Sequence, residues 1–189
     1  GHTDTPRDLL DEATRAEELG LGSLFLSERF NVKDAAVLSG AAGAVTSRLG
    51  IATAATNHNT RHVLVTATLA TTMHRLTGGR FALGLGRGFD FLFDAINLPR
   101  ITMAQVEDAV SLYRRLWRGE RIFGHEGPAG AYPYLGQDPS FDEDIPVLFC
   151  ALGLKTLEFA GRVMDGVVLH TFFTDETLAR SVAAVRRGA

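Results

Sequence analysis

A chain of 189 residues with 46% hydrophobic and 22% charged residues can bury a substantial core and has the composition of an ordinary globular domain. Its formal net charge of −3 argues against nucleic acid as the main partner, because nucleic-acid-binding faces carry a basic excess. The single cysteine, Cys150, excludes an internal disulfide and is typical of a reducing cytoplasm. No apolar run reaches the roughly 18 residues of a membrane span, and the first residues lack the features of a signal peptide.

Helix and strand patterns alternate along the chain. Thr5, Pro6 and Asp8 predict a helix start, and Gly20 predicts its end, because these residue types favour the cap positions of a helix. Short apolar runs predict strands that are buried on both faces, at 23–27, 49–55, 81–85, 146–151 and 166–170. Further helices are predicted at 34–46, 63–76, 154–163 and 175–187.

The clearest periodicity follows Thr102 and Gln105, which form a capping-box pattern. Apolar residues recur behind them at helical spacing as far as Trp117. Residues 119–144 instead contain glycines and prolines without a period. We interpret them as an irregular excursion within a single domain that covers 1–189, rather than as a linker between domains.

The alternation of helices with apolar strands predicts an α/β fold in which helices wrap a parallel sheet. Five strands are enough for an open, doubly wound sheet, whereas a closed β/α barrel needs eight strands and typically about 250 residues. The absence of a G-x-G-x-x-G motif after the first predicted strand favours the barrel slightly. In both architectures, ligands bind at the carboxyl ends of the strands.

Polar residues follow the first two predicted strands. Glu28 and Arg29 follow the first, where a surface ion pair is an equally good interpretation. Asn57, His58 and Asn59 follow the second. Asparagine favours turns, but three polar residues directly after a buried strand favour a functional site.

Glycines and a β–α turn follow the later strands. Gly84, Gly86 and Gly88 are compatible with a tight turn or with close approach of the backbone to a ring or phosphate. The segment 151–155 precedes a predicted helix, whose first N–H groups are suited to binding an anion. Polar groups and glycines are therefore expected to gather at one edge of the sheet.

Four segments agree with one family in order and spacing, and their combination is more specific than any single motif. They are AEELG and FLSER within 16–29, TSRLG and TRH within 46–62, LTGGRFALGLGRG at 76–88, and IP, ALG and DGVV within 145–168. On these segments the chain resembles the luciferase-like monooxygenase superfamily, and within it the oxidoreductases that use the deazaflavin coenzyme F420. The resemblance implies a TIM-type (β/α)8 barrel, often dimeric. It also implies that this chain is a partial barrel containing the second to sixth strands.

The resemblance carries the family's site onto the strand ends of this chain. Glu28 and Arg29 fall where the family has an acidic residue and usually a histidine near the ring. A guanidinium stays protonated, so electrostatic stabilisation suits Arg29 better than proton donation. The family's bulge with a non-proline cis peptide falls near Ala54 and Ala55, the loop beside the cofactor at 86–88, and the phosphate-binding turn at 151–154. The predicted cofactor-binding residues are Ala54, Ala55, Thr56, Asn57, Gly86, Arg87, Gly88, Ala151, Leu152, Gly153 and Leu154.

The resulting hypothesis is hydride transfer between F420 and an unknown small organic substrate, with the protein supplying position and electrostatics. The predicted catalytic residues are His58, Glu28 and Arg29; His58 is the best general acid or base, because an ordinary pKa of about 6.5 allows both roles. His58 and His62 are four residues apart but lack the Glu of the metalloprotease pattern, so no metal site is predicted. Two alternatives stay open: an FMN-dependent monooxygenase of the same superfamily, and a non-catalytic barrel that serves as a binding or dimerisation module. A cytoplasmic homodimer is expected.

Overall fold

The computed structural model describes residues 6–189, and this part of the chain contains seven α-helices and seven β-strands. In chain order they are α1 (Leu9–Glu18), β1 (Ser23–Leu26), α2 (Ala35–Val45), β2 (Gly50–Thr53), α3 (Val63–Leu76), β3 (Phe81–Gly86), α4 (Asp90–Ala95), α5 (Met103–Trp117), β4 (Ile122–Gly127), β5 (Gly130–Leu135), β6 (Val147–Cys150), α6 (Leu154–Val163), β7 (Gly166–Val168) and α7 (Asp175–Gly188).

Five parallel strands form the main sheet, in the order β1-β2-β3-β6-β7. Every neighbouring pair is parallel, so the carboxyl ends of all five strands lie at the same edge. Helices separate these strands along the chain, which confirms the predicted α/β arrangement. The remaining two strands, β4 and β5, form a separate antiparallel pair.

The first helix begins later than predicted. Thr5 lies outside the described residues, and Pro6–Asp8 form a single 3-10 turn before α1 starts at Leu9. Asp8 occupies the N-cap position of α1 without a side-chain hydrogen bond to the helix. Pro6 therefore precedes the α-helix instead of opening it.

Helix α5 supplies the largest buried side chains of the core, Trp117 and Tyr113. It begins with the predicted capping box, in which Thr102 and Gln105 each accept the other's backbone N–H. The Trp117 Nε1–H donates to the Ala67 carbonyl of α3 at 3.1 Å, so the indole is buried with its polar atom satisfied. The periodic apolar face predicted for this helix is thus the face that enters the core.

The apolar sequence of β1 predicted a strand buried on both faces, and this prediction is wrong. Leu26 is buried, but Phe25 is 45% exposed. Within the described sheet β1 pairs only with β2, so it is an edge strand. The apolar run at 23–27 predicted burial of both faces, but an edge strand lacks the second neighbour that would help to cover Phe25.

The segment 119–144 is less irregular than predicted, because it contains the β4–β5 hairpin. Ile122 and Leu135 pair at the open end of the hairpin and are buried. Near its turn, the Asp108 carboxylate of α5 lies 3.0 Å from His125 Nε2 and accepts the Ala129 N–H at 2.9 Å. The hairpin is therefore fastened to the helical layer at both ends. The short helix α4 was also not predicted.

Candidate functional site

The end of β2 forms a bulge against β3. Ala52 pairs with Ala82, and the next bridge joins Thr56 to Leu85. The segment that continues β2 therefore has one more residue between these two pairs than β3 has, which is the definition of a bulge. Between these points, the Thr53 hydroxyl donates to the Gly84 carbonyl and accepts the Gly84 N–H, both at 2.8 Å. A side chain thus replaces the missing backbone ladder. The peptide between Ala54 and Ala55 is cis, which confirms that prediction.

Two glycines of β3 are needed because the bulge lies directly against them. A Cβ atom on Gly84 would lie 1.7 Å from the Thr53 carbonyl oxygen, and a Cβ on Gly86 would lie 2.8 Å from the Ala55 Cβ. The sequence left open whether these glycines serve a turn or the approach of a ligand. Their immediate neighbours are protein atoms, so their first role is to make room for the bulge.

We call the edge formed by the carboxyl ends of the parallel strands the mouth. At the mouth, a network of hydrogen bonds holds Glu28 and joins three segments of the chain. Arg61 Nη2 donates to Glu28 Oε1 at 2.6 Å and Arg61 Nη1 to Oε2 at 3.0 Å. The Thr56 hydroxyl also donates to Oε2, and the Glu28 N–H donates to the Ala55 carbonyl at 3.2 Å. The side chains of Glu28 and Arg61 are only 7% and 16% exposed. Both oxygens of this carboxylate accept hydrogen bonds, so Glu28 braces the bulge from the end of β1.

Arg61 also pairs with Asp34, the N-cap residue of α2. The hydrogen bond to Glu28 is the main reason that the pKa of Arg61 is raised. Burial opposes ionisation of Asp34, but the Val37 N–H and the Arg61 guanidinium outweigh it and hold the pKa of that carboxyl below its usual value. Arg61 was not among the site residues predicted from the sequence. The available signal was Glu28, because a glutamate at the end of a buried strand needs a cationic partner.

Asn57 and His58 follow the bulge but differ in role. The Asn57 side-chain oxygen accepts the N–H groups of Asn59 at 3.2 Å and Thr60 at 2.9 Å, so the turn interpretation holds for this atom. The His58 ring is half-buried and has no hydrogen-bond partner among residues 6–189. Burial lowers the pKa of His58, so its ring is neutral at pH 7 and offers one donor and one acceptor.

The loop after β3 leads into α4. Gly86 donates its N–H to the Thr56 carbonyl at 2.8 Å, which keeps the bulge beside this loop. Arg87 is exposed and pairs with Asp90 at 2.8 Å. Gly88 has a positive φ of 69°, and a Cβ there would lie 2.8 Å from the Phe93 ring. Arg29, at the neighbouring strand end, is exposed in a turn closed by its N–H to the Lys33 carbonyl at 3.0 Å.

Helix α6 presents an open N-terminus at the mouth. Gly153 is its N-cap residue and supplies no side-chain cap, and a Cβ there would meet nothing closer than Thr156 Oγ1 at 4.0 Å. Ala151 is buried and Leu152 and Leu154 are exposed. The first N–H groups of an α-helix have no partner within the helix. This end therefore offers donors and space for an anion, as a phosphate-bearing cofactor requires.

Contacts between strand ends bring these groups to one mouth. Glu28 contacts the Ala55 carbonyl, Gly86 pairs with Cys150, and the Ala151 N–H donates to the Val168 carbonyl at 3.4 Å. Burial raises the pKa of the Cys150 thiol to about 11, so this side chain is not a nucleophile at neutral pH.

Cavities of different character open at opposite edges of the main sheet. One, of about 550 Å³, lies at the mouth and is lined by Glu28, Arg61 and the segment 30–34. The other, of about 310 Å³, lies near the amino ends of β6 and β7, where Arg114 pairs with Asp165. The first is lined by Glu28, which contacts the bulge through the Ala55 carbonyl, so this cavity bears on the site.

The chain is similar to known proteins in sequence and in fold. A profile described as luciferase-like monooxygenase matches residues 1–189. An F420-dependent glucose-6-phosphate dehydrogenase of Intrasporangium calvum is 31% identical over 182 residues, covering 86% of this chain and 53% of that protein. The structure of the coenzyme F420 dependent tetrahydromethanopterin reductase from Methanopyrus kandleri superposes with a TM-score of 0.83 at 20% identity, covering 97% of this chain and 57% of that one. The FMN complex of the oxygenating constituent of 3,6-diketocamphane monooxygenase from Pseudomonas putida gives a TM-score of 0.83 at 19% identity, covering 100% and 58%.

The chain belongs to the luciferase-like monooxygenase family. The structural likenesses confirm that the five-stranded sheet is part of a TIM-type β/α barrel. The chain spans about half the length of the curated relatives it matches. Within residues 6–189, no helix is long and apolar enough to cross a membrane, and no three His, Cys, Asp or Glu side chains are grouped to hold a metal ion.

Proposed function

We propose that this chain forms the coenzyme-binding part of an F420-dependent oxidoreductase that exchanges hydride with a small organic substrate. The observation that carries the proposal is the meeting of the 53–56 bulge with the open N-terminus of α6 at one mouth. Gly86 connects them, because it adjoins Ala55 on one side and pairs with Cys150 on the other. The names of relatives support F420 as the coenzyme.

The open N-terminus of α6 would hold the coenzyme's phosphate. Its unpartnered N–H groups and the positive end of the helix dipole favour an anion. The bulge at Ala54–Ala55 and the loop 86–88 would hold the ring. When bound, the deazaflavin supplies a two-electron hydride donor or acceptor, and the protein supplies position and electrostatics.

His58 would move the proton that accompanies hydride transfer. Its ring is neutral at pH 7, and it has no partner within the described residues that would compete for its nitrogens. A neutral imidazole accepts a proton from a substrate hydroxyl, and the protonated ring returns it in the reverse direction. Glu28 would keep the bulge in place through Arg61 and Thr56, and Arg29 would act electrostatically if the substrate reaches it.

A fluorescence titration of the protein with oxidised F420, reduced F420 and FMN tests this proposal. We expect saturable binding of F420, weakened by inorganic phosphate that competes for the N-terminus of α6. If none of the three compounds bound, the cofactor assignment would be overturned.

The second candidate is an FMN-dependent monooxygenase, which the match to the FMN-bound structure favours. The same titration separates the two, because FMN would then bind more tightly than F420. A non-catalytic binding module is the remaining alternative, and turnover with any substrate would exclude it.

We also propose that the protein is a homodimer in a reducing cytoplasm. Exposed apolar side chains on the outer helices support an interface, among them Val37 on α2 and Val65 on α3. The free thiol of Cys150 supports a reducing compartment. Sedimentation of the purified protein would measure its oligomeric state, and a monomer at all concentrations would contradict the dimer.

A further inference from the structure

The outer face of the β4–β5 hairpin carries a largely exposed aromatic pair. Phe123 on β4 and Tyr134 on β5 lie opposite each other with their ring centroids 5.1 Å apart, and they are 72% and 51% exposed. The inner face of the hairpin is buried at Ile122 and Leu135, which belong to the core. Exposed aromatic rings that are flanked by charges are typical of a surface that contacts another protein.

The hairpin also has two unequal edges. Within residues 6–189, β4 and β5 pair only with each other, so each strand has one edge without a neighbouring strand. Pro133 lies in the middle of β5 and has no N–H to donate, whereas every residue of β4 has one. An unpaired edge with free N–H and C=O groups can accept a further strand. The edge suited to this is therefore β4.

Charges of opposite sign flank Phe123 along β4. Arg121 directly precedes the strand, Glu126 lies near its end, and both residues are exposed. Neither side chain has a hydrogen-bond or ion-pair partner in the part of the chain that the structure describes. By contrast, Arg115 on the adjoining α5 is paired with Glu120 at 2.5 Å. The two charges on β4 are thus available to a partner.

This charge pattern is complementary to itself. In two antiparallel strands related by a two-fold axis, the start of each strand lies beside the end of the other. With the axis between Phe123 and Gly124, Arg121 of each copy comes beside Glu126 of the other, and the two Phe123 rings meet near the axis. A second copy of this chain therefore satisfies the free edge, the exposed ring and both charges together.

We propose that two copies of this chain associate by antiparallel pairing of their β4 strands, with an Arg121–Glu126 ion pair at each end and the Phe123 rings between them. This inference rests on the proposed homodimer and names the surface that joins the two copies. Two short strands bury less area than a standard protein interface, so we expect a weak dimer whose population depends on protein concentration.

Sedimentation equilibrium of charge-reversal variants, over a wide range of protein concentrations, tests this contact. Arg121→Glu and Glu126→Arg each place like charges at both symmetric ends, so each should raise the dissociation constant of the dimer by about 10-fold. The double variant Arg121→Glu/Glu126→Arg restores opposite charges and should return the dissociation constant to the native value. Phe123→Ala should also weaken the dimer. The matched control is Arg180→Glu, which makes the same change of charge at an exposed position of α7 and should have no effect.

Two single reversals without effect, or a double reversal that dimerises no more tightly than the single ones, would overturn the β4 contact. Val65→Asp, at a 54% exposed position of α3, tests the alternative surface on the outer helices. If Val65→Asp dissociates the dimer and the β4 variants do not, the β4 inference alone fails. If the native protein is a monomer at every concentration, the proposed homodimer fails with it, whereas the coenzyme assignment is decided separately by the F420 titration. All the substitutions are at exposed positions, and thermal unfolding would verify that each variant remains folded.

Discussion

At the scale of single residues, Arg61 is the group on which the mouth most depends. It holds two carboxylates from different segments, and Glu28 is almost completely buried beside it. Arg61→Met would leave the Glu28 charge buried without its partner, which costs about 3–5 kcal/mol. Urea unfolding would measure this loss. The control Arg87→Met breaks an exposed pair and should cost no more than about 1 kcal/mol.

If Arg61→Met were no more destabilising than Arg87→Met, the pairing of Arg61 with Glu28 and Asp34 would not stabilise the protein in solution. A second variant separates loss of charge balance from loss of packing. In Glu28→Gln/Arg61→Met the buried charge is gone, so part of the stability should return.

His58 makes a separate prediction at the same scale. His58→Asn keeps a hydrogen-bonding side chain but cannot take up a proton near neutral pH, so turnover should fall by about 100-fold or more while F420 affinity changes little. Because burial lowers the pKa of His58, the proposed activity of the native protein in the oxidative direction should rise with pH through a midpoint below the ordinary value of 6.5. Steady-state rates measured across pH would show whether this rise disappears in the variant. If the variant kept the rise, another group would be responsible for it.

Glu17 links pH to stability far from the site. Its carboxylate accepts the N–H groups of Ser47, Arg48 and Leu49, with Arg48 as the nearest at 2.6 Å. The hydrogen bonds from Arg48 and Leu49 are the main reason that its pKa is lowered to about 2, from 4.5. The folded-state pKa is the lower one, so the stabilisation is complete above about 4.5 and is lost as the pH falls towards 2.

Glu17→Gln should therefore flatten the pH dependence of thermal unfolding in the acid range. Glu18→Gln is a matched control, because its exposed carboxylate pairs with the exposed Arg15 at 3.0 Å. Equal acid sensitivity of Glu17→Gln and the native protein would show that these hydrogen bonds do not contribute.

At the scale of elements, the bulge requires the glycines of β3. A methyl group on Gly84 would overlap the Thr53 carbonyl, and neither backbone can move without breaking the sheet. Gly84→Ala should destabilise the protein by about 3 kcal/mol. Gly40→Ala is the control, since its added Cβ meets nothing within 4 Å in α2 and a helical alanine is favoured by about 0.5–1 kcal/mol. Denaturant unfolding should show a lower free energy of unfolding for Gly84→Ala and a higher one for Gly40→Ala. If Gly84→Ala left the free energy of unfolding unchanged, the close approach of the two backbones would be contradicted.

Elements with strong local signals were predicted well from the sequence. α3 and α6 have the predicted bounds, and the capping box of α5 is present, because caps and helical periodicity are local properties. The β4–β5 hairpin was missed because Gly124 and Pro133 interrupt its alternation, and what holds it is the distant Asp108. Arg61 was missed for the same reason: its partner Glu28 is 33 positions away in the chain.

At the scale of the whole molecule, parallel pairing of five strands converts separate motifs into one mouth. The sequence could predict the mouth, because the carboxyl ends of parallel strands lie at the same edge of a sheet. The open N-terminus of α6 and the hydrogen bonds of Glu28 to Arg61 and Thr56 depend on packing between distant segments. The site assignment and the single-domain organisation stay predictions.

Coenzyme binding offers a prediction for the whole fold. A ligand at 100 times its Kd stabilises the native state by about 2.7 kcal/mol, which corresponds to about 5–10 °C in Tm for a protein of this size. Thermal unfolding with F420 should show this rise, and the deazaflavin riboside without phosphate should give less of it at equal concentration. Equal shifts would show that the N-terminus of α6 does not bind the phosphate.

The fastening of the bulge by Thr53 has one more consequence. A hydroxyl and two backbone groups hold β2 to β3 there, and none of them carries a net charge. Dissolved ions weaken attraction between exposed charges but act little on a buried neutral contact. We therefore expect the floor of the mouth to keep its shape from dilute buffer to molar salt, while the exposed ion pairs elsewhere on the surface loosen.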